Sequence, residues 1–402
     1  MDKKKLKKIS QTLHQINDFI NSQYYEVEDY TLCILLSMIS RTNMIALGQP
    51  GIAKSAILRT FVDAIDFEDL EGTPYFHIQM GSDISPNNVF GAPDIEYFKK
   101  NGIIKRHYKG FLPDAVIAFC SEFYRVNDQV ANSGLLTILN EGEFKNGTDT
   151  VKTKLRFFMA DTNFFPKQVD DLDVEETDLK LQALHDRFLS RVFVKPLVDT
   201  ENKLKMILMD NSLKSEFKIS IYDIIYIQDH LYMIEIGEDI ARLMIDIASE
   251  LETKHNIFIS PRRLKLSGNL VRAHALYNNR DYCLTDDLIA LQFTFWQKEE
   301  DLLKVQDLIF EKMDLPNINA EKYLSLLSSI QEELDRNINN HRDFYENDTD
   351  TLYEQAISNI MTLMERIELE YPQKEKYDTI VNCFNQIDRS YQRLMQERAL
   401  LK

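Results

Sequence analysis

An apolar run, Met44-Ile45-Ala46-Leu47, stops at Gly48-Gln49-Pro50-Gly51-Ile52-Ala53-Lys54-Ser55, and a helical pattern begins at Ala56. No other stretch restricts the fold so tightly, because strand, glycine-containing loop and helix in that order form a phosphate-binding P-loop. The backbone N–H groups of such a loop, together with the helix N-terminus, make an anion cradle. Lys54 is predicted to reach the outer phosphates and the Ser55 hydroxyl to ligate Mg²⁺. Ala53 stands where the pattern usually has its second glycine. A single methyl group is a small addition, so the loop is expected to tolerate it. All eight residues from Gly48 to Ser55 are candidate nucleotide contacts.

The surroundings of this loop set the fold class. From about residue 40 to 198, apolar runs alternate with helical patterns. The strand candidates are Met44–Leu47, Tyr75–Met80, Ala115–Cys120, Leu155–Ala160 and Val192–Val194, and the alternation predicts a parallel sheet covered by helices. Residues 1 to about 40 read as helix, with Val27, Tyr30, Ile34 and Met38 at helical spacing. Two segments interrupt the alternation, Asp94–His107 with Asn101-Gly102 and Glu143–Leu155 with Asn146-Gly147. Both dipeptides predict hairpin turns. From about residue 200 the strand signal disappears. Over the last hundred residues three stripes recur at threes and fours: Tyr323 to Ile338, Tyr353 to Ile367, and Ile380 to Leu394. They are separated at Glu346–Asp350 and Tyr371-Pro372, which predicts a three-helix bundle or antiparallel coiled coil.

Bulk properties exclude several classes of function. A formal net charge of −17 opposes non-specific nucleic-acid binding. No apolar run is long enough for a membrane span, and the basic N-terminus lacks the apolar segment of a secretory signal. Cys33, Cys120, Cys283 and Cys383 lie far apart in apolar contexts without metal spacing, which predicts buried thiols in a reducing, cytoplasmic setting.

A P-loop fold needs a second strand ending in acidic residues. The candidate is Ala115-Val116-Ile117-Ala118-Phe119-Cys120-Ser121-Glu122. Most such enzymes have Asp-Glu here, with the Asp serving the Mg²⁺ shell and the Glu polarising the attacking water. This chain keeps Glu122 but has Ser121 at the Asp position. A hydroxyl brings no charge to a hard cation, so weaker metal binding is expected. In Phe157-Phe158-Met159-Ala160-Asp161-Thr162-Asn163, strand alternation puts Asp161 and Asn163 on one face. Asp161 could supply the missing charge, and Asn163 could orient water. In His185-Asp186-Arg187-Phe188-Leu189-Ser190-Arg191 two arginines would share a face if the segment is helical. Arg187, with Arg191 as second choice, is a candidate for reaching a phosphoryl group across a subunit boundary. Ser260-Pro261-Arg262-Arg263 starts a helix from which an arginine could reach the γ-phosphate.

These pieces together resemble the MoxR branch of the AAA+ ATPases, and within it the RavA-like subgroup. The resemblance rests on Gly48–Ser55, Val89-Phe90-Gly91, Gly110-Phe111-Leu112-Pro113-Asp114-Ala115, Leu135–Glu141 through Phe144-Lys145-Asn146-Gly147, Asp186-Arg187-Phe188 and Ser260–Arg263, in the family's order. It covers roughly residues 25 to 300, and the alanine of the phosphate loop is itself typical of the subgroup. It implies an α/β fold: a P-loop αβα core with a parallel sheet, then a helical lid, here followed by an all-α extension. The corresponding divisions are 1–24 (N-terminal helix), 25–199 (core), 200–300 (lid) and 301–402 (extension). The resemblance further implies ATP with Mg²⁺ bound between subunits of a ring, usually a hexamer. It gives Asn163 as first sensor, Arg187 as arginine finger and Arg262 as second sensor, whereas Ser55, Ser121 and Asp161 are candidates for the metal side from the reading of the loop and strand residues, and Ser121 departs from the family's pattern. It also implies a partner carrying a von Willebrand factor A domain.

Two functions of different kind follow. One is a ring ATPase that remodels a protein partner, favoured by the joint presence of Glu122, Asn163, Arg187 and Arg262. The other is a nucleotide-dependent assembly scaffold with little or no hydrolysis, favoured by Ser121. A nucleic-acid motor is a third possibility that the net charge opposes.

Overall fold

The computed structural model describes residues 2–164, 181–182, 184–209, 215–313, 315–340, 346–371, 374 and 378–400. It divides into two units, Met1–Ile309 and Phe310–Lys402.

The first unit is built on a five-stranded parallel sheet. Its strands are β1 (Met44–Leu47), β2 (Thr73–Gln79), β3 (Ala115–Ser121), β6 (Phe157–Thr162) and β7 (Ser190–Phe193), in the spatial order β2-β3-β6-β1-β7. A separate antiparallel hairpin, β4 (Glu143–Asn146) with β5 (Asp149–Lys152), turns at Asn146-Gly147-Thr148, as its dipeptide predicts. Strands β1 and β6 are buried along their whole length, which explains why they read as continuous apolar runs rather than as alternating ones. In register, Cys120 pairs with Ala160 and Ala46 with Asp161. The C-terminal ends of the inner strands β3, β6 and β1 therefore lie side by side, where the phosphate loop begins.

Helices α1 (Lys3–Gln23) and α2 (Glu28–Ser40) precede the sheet, so the predicted N-terminal helix is two helices with a break between them. Asp2 caps α1, and Leu6, Ile9, Leu13, Ile16 and Ile20 form its buried stripe. Helix α3 (Lys54–Asp63) follows the loop and has no side-chain cap, which leaves its first N–H groups for an anion.

The segment predicted as a hairpin at Asn101-Gly102 is instead a short helix, α4 (Ile95–Asn101). Asp94 accepts a hydrogen bond from Tyr97 N at 2.9 Å and starts the helix. Gly102, at φ +68°, ends it in the left-handed conformation. The same dipeptide chemistry serves a helix C-terminus here and a hairpin turn at 146–147.

Beyond β7 lie α5 (Thr200–Leu208), α6 (Ile221–His230), α7 (Glu238–His255), α8 (Pro261–Tyr277) and a 3₁₀ segment, Thr285–Phe293. Helix α8 begins where the sequence predicts, with the Ser260 side chain accepting from Arg263 N and Pro261 in the first turn. No helix among the described residues is long and apolar enough to cross a membrane. All four cysteines are free and buried.

The second unit contains α10 (Leu315–Asn340), α11 (Glu346–Glu370) and α12 (Asp378–Ala399), after α9 (Asp301–Met313), in which the division falls. Tyr323, Leu327, Leu334, Ile357, Ile360, Ile367, Ile380, Ile387 and Leu394 are buried in one core cluster, so the three stripes face each other. Glu346–Asp350, predicted as a separator, is the first turn of α11, whereas Pro372 lies outside the described residues.

Candidate functional site

The phosphate loop closes on a backbone contact that only glycine allows. A Cβ at Gly48 would stand 2.5 Å from the carbonyl oxygen of Val194, whereas at Gly51 it would meet open space. Ala53, the departure from pattern, is held left-handed at φ 61°, ψ 11°. That conformation costs a non-glycine residue about 1–2 kcal/mol. The loop therefore keeps the geometry a glycine would give, at some strain.

Lys54 is buried, and its Nζ donates to Gly48 O at 2.5 Å, Gln49 O at 2.9 Å and Asn163 Oδ1 at 3.1 Å. Burial pulls its pKa below the ordinary lysine range, opposed by the negative charges of Asp161 and Glu122. Asn163 then donates from Nδ2 to Glu122 Oε1 at 2.5 Å. Asn163 thus ties the loop lysine to the strand-end glutamate. On the other side, Ser55 Oγ donates to Asp161 Oδ2 at 2.9 Å, and Glu122 N donates to Asp161 Oδ1 at 2.9 Å. One buried carboxylate therefore links the loop serine to the end of β3.

Glu122 itself is left-handed at φ 53°, ψ 42°, an uncommon conformation for this residue. Three ties over-determine it: its N–H to Asp161, its Oε1 from Asn163, and an ion pair of Oε2 with Arg125 Nε at 3.4 Å. Strain held this way is typical of functional positions. Ser121 points elsewhere. Its Oγ lies 3.5 Å from His77 Nε2, and the His77 ring stacks on Phe119. Burial, then the nearby Arg59, hold His77 below its ordinary pKa. Sequence reading did not single out His77, because its approach to Ser121 depends on the pairing of β2 with β3, in which Gln79 lies opposite Ser121.

Lys54, Ser55, Glu122, Asp161 and Asn163 are thus brought together. Arg187 and Arg262 have no hydrogen bond or ion pair to these five among the described residues. Arg262 is exposed on the first turn of α8. Arg187 lies on a turn, and its Nε has no hydrogen-bond partner among the described residues. The helical face predicted to join Arg187 and Arg191 does not form, because Arg191 belongs to strand β7. Arg191 is 1 % exposed and donates to the carbonyls of Phe188 (3.2 Å), His185 (3.2 Å) and Trp296 (3.1 Å), which removes it as a finger. Burial lowers its pKa well below the arginine norm.

The donor chemistry fits a magnesium triphosphate. Ser55 and Asp161 offer hard oxygens, and Mg²⁺ characteristically binds through one or two carboxylates plus substrate phosphates. Among the described residues no cluster of three or more His, Cys, Asp or Glu forms a separate metal cage.

A P-loop at the C-terminal end of this sheet's strands, followed by a helical region, defines a nucleotide-binding protein of the AAA+ class. The family described as "MoxR domain in the MoxR-vWA-beta-propeller ternary systems" matches residues 11–228, and the AAA lid domain matches residues 239–309. The chain belongs to the MoxR family of AAA+ ATPases. An uncharacterized protein of Methanocaldococcus jannaschii is 30% identical over 332 residues, covering 82% of this chain and 82% of that protein. A second from the same organism is 28% identical over 302 residues, covering 74% and 75%. A solved structure of a candidate ATPase from Cytophaga hutchinsonii superposes with a TM-score of 0.57 at 17% identity, covering 77% of this chain and 96% of that one. At that identity the superposition supports the fold.

Proposed function

We propose that the protein is a ring-forming ATPase that couples ATP binding and slow hydrolysis to the remodelling of a protein partner. The observation that carries this reading is the linked set Lys54–Asn163–Glu122 and Ser55–Asp161, in which every member is held by another. In the bound state Lys54 exchanges its carbonyl partners for phosphate oxygens, and the loop N–H groups cradle the rest. Ser55 and Asp161 would hold Mg²⁺, which would supply charge neutralisation at the phosphates. Asp161 would stand in for the aspartate that Ser121 replaces. Glu122 and Asn163 position water, and Arg187 from a neighbouring subunit stabilises the developing charge. Arg262 reports the γ-phosphate to the helical lid.

A partner with a von Willebrand factor A domain is supported by the matched description, which names MoxR–vWA–beta-propeller systems. Placement in the RavA-like subgroup rests on the ordered set of motifs, and Ala53 in the phosphate loop is typical of that subgroup. A hexameric ring and a cytoplasmic location belong to the same reading, the latter supported by four buried free thiols.

The scaffold reading is favoured by two observations. Glu122 is engaged by both Asn163 and Arg125, and Ser121 brings no charge to the metal. A phosphate-release assay separates the two readings. Slow turnover should appear in the unaltered protein and drop about 10²-fold or more in Glu122→Gln with ATP binding kept. Turnover equal to that of Lys54→Ala would establish the scaffold instead.

A further inference from the structure

The Arg187 turn is held by its carbonyl oxygens, and the holders come from two directions. Asn43, at the root of β1, donates from Nδ2 to Arg187 O at 3.1 Å and to Leu139 O at 3.0 Å. From the lid, Arg263 donates from Nη1 to Leu189 O at 3.1 Å and to Thr294 O at 3.0 Å, and from Nη2 to Phe188 O at 3.4 Å. Arg191 completes the arrangement in the opposite sense. It starts from the sheet, holds Phe188 O and His185 O, and reaches out to Trp296 O. Two buried guanidinium groups therefore cross between sheet and lid, each bonded to backbone on both sides.

Arg263 is the next residue after Arg262, on the first turn of α8. One rigid helical turn thus carries an exposed arginine, the candidate for sensing the protomer's own nucleotide, and a buried one clamped to the turn that bears Arg187. A planar guanidinium with five donors can serve three carbonyls at fixed angles, and a lysine cannot reproduce that geometry.

On the proposed reading of Arg187 as a finger acting in the adjacent subunit, we infer that Arg263 is a positioning residue. It transmits the seating of the lid helix to the Phe188–Leu189 carbonyls and so sets where Arg187 stands relative to the neighbour's nucleotide.

Mixed rings test this. A Lys54→Ala subunit has no working site of its own but offers Arg187, and an Arg187→Ala subunit has a site but offers no finger. Their equal mixture should regain ATP hydrolysis. Arg263→Met is then added to the Lys54→Ala subunit, whose own site is already silent. Regained hydrolysis should fall about tenfold or more, since small displacements of a catalytic group are costly. Arg263→Lys in the same subunit should keep an intermediate share. Arg263→Met in the Arg187→Ala subunit, where no finger is offered, should cost less. Sedimentation of each mixture checks assembly.

Equal recovery with and without Arg263→Met in the finger donor overturns the inference while the trans reading of Arg187 stands. So does a greater loss when the change sits in the Arg187→Ala subunit, or failure of even the Arg263→Lys donor to assemble. No recovery in the parent mixture overturns the trans reading, and the inference with it.

Discussion

The two units bury different things. Met1–Ile309 encloses Lys54, Asp161, His185, Arg191 and Arg263, all of them charged or titratable groups. The core of the three-helix bundle is apolar apart from Tyr323 and Tyr371, and its tyrosine hydroxyls find partners in Glu370 and Asn319. Taking a charge out of water is expensive unless it is paired or hydrogen-bonded. The first unit accepts that expense at these five places, which lie at the phosphate loop or around the turn of Arg187, and also at Asp114 and at Asp287, whose carboxylate is bonded to Arg280 and His274. Among the described residues the bundle buries no charged group, so its core is set chiefly by apolar packing.

That contrast can be broken most forcefully in the bundle. Ile360 is fully buried between the stripes of α10, α11 and α12. Ile360→Ala should destabilise the bundle by about 2–5 kcal/mol through lost burial and an incompletely collapsed cavity. Ile360→Leu should cost less than about 1.5 kcal/mol, since volume is kept. Hydrogen exchange of the α11 amides measures both. Equal protection in all three proteins would show that the interior is not packed as described.

The contrast is sharpened at Asp161, where charge and not volume is at issue. Asp161→Asn keeps the shape but removes the carboxylate that Ser55 Oγ and Glu122 N share. Magnesium affinity in the nucleotide complex should fall at least about 10–100-fold, the loss typical even of groups that only orient metal ligands. Titration of Mg²⁺ against a fluorescent ATP analogue reads this directly. Unchanged affinity would return the metal role to Ser121.

The same contrast decides what the sequence could reveal. The phosphate loop was legible because its determinants are contiguous, from Gly48 to Ser55. Asp161 and Asn163 were legible because strand alternation is a local rule that fixes their face. The bundle stripes were legible because its cores repeat at helical spacing. Asn101-Gly102 misled because a left-handed glycine ends helices as well as hairpins. Only the Asp94 cap upstream separates the two cases, whereas Phe144 and Lys145 before Asn146-Gly147 alternate as a strand does. The clamp at Arg263 left no local trace. Its carbonyl partners lie 74, 75 and 31 residues away in sequence. The contact between His77 and Ser121 likewise depends on a pairing between strands.

His185 gives the smallest effect and tests the contrast in solution. Its ring is buried, with Nδ1 hydrogen-bonded to the Tyr124 hydroxyl and Nε2 without a hydrogen-bond partner among the described residues. Burial first, then the positive charges of Arg191 and Arg263, hold its pKa well below the ordinary value of 6.5. The folded chain therefore keeps His185 neutral where the unfolded chain takes up a proton. Its contribution to stability is present above pH 6.5 and is lost on acidification, by about 1.4 kcal/mol per pH unit until the folded-state pKa is reached. His77, also held low, acts with the same sign. Comparison with His185→Gln isolates the buried ring. Urea unfolding of the first unit at pH 7.5, 6.5 and 5.5 should show a steeper acid loss in the unaltered protein than in the variant. Parallel losses would mean that His185 is protonated in the fold, and that the arginine turn tolerates a third buried positive charge.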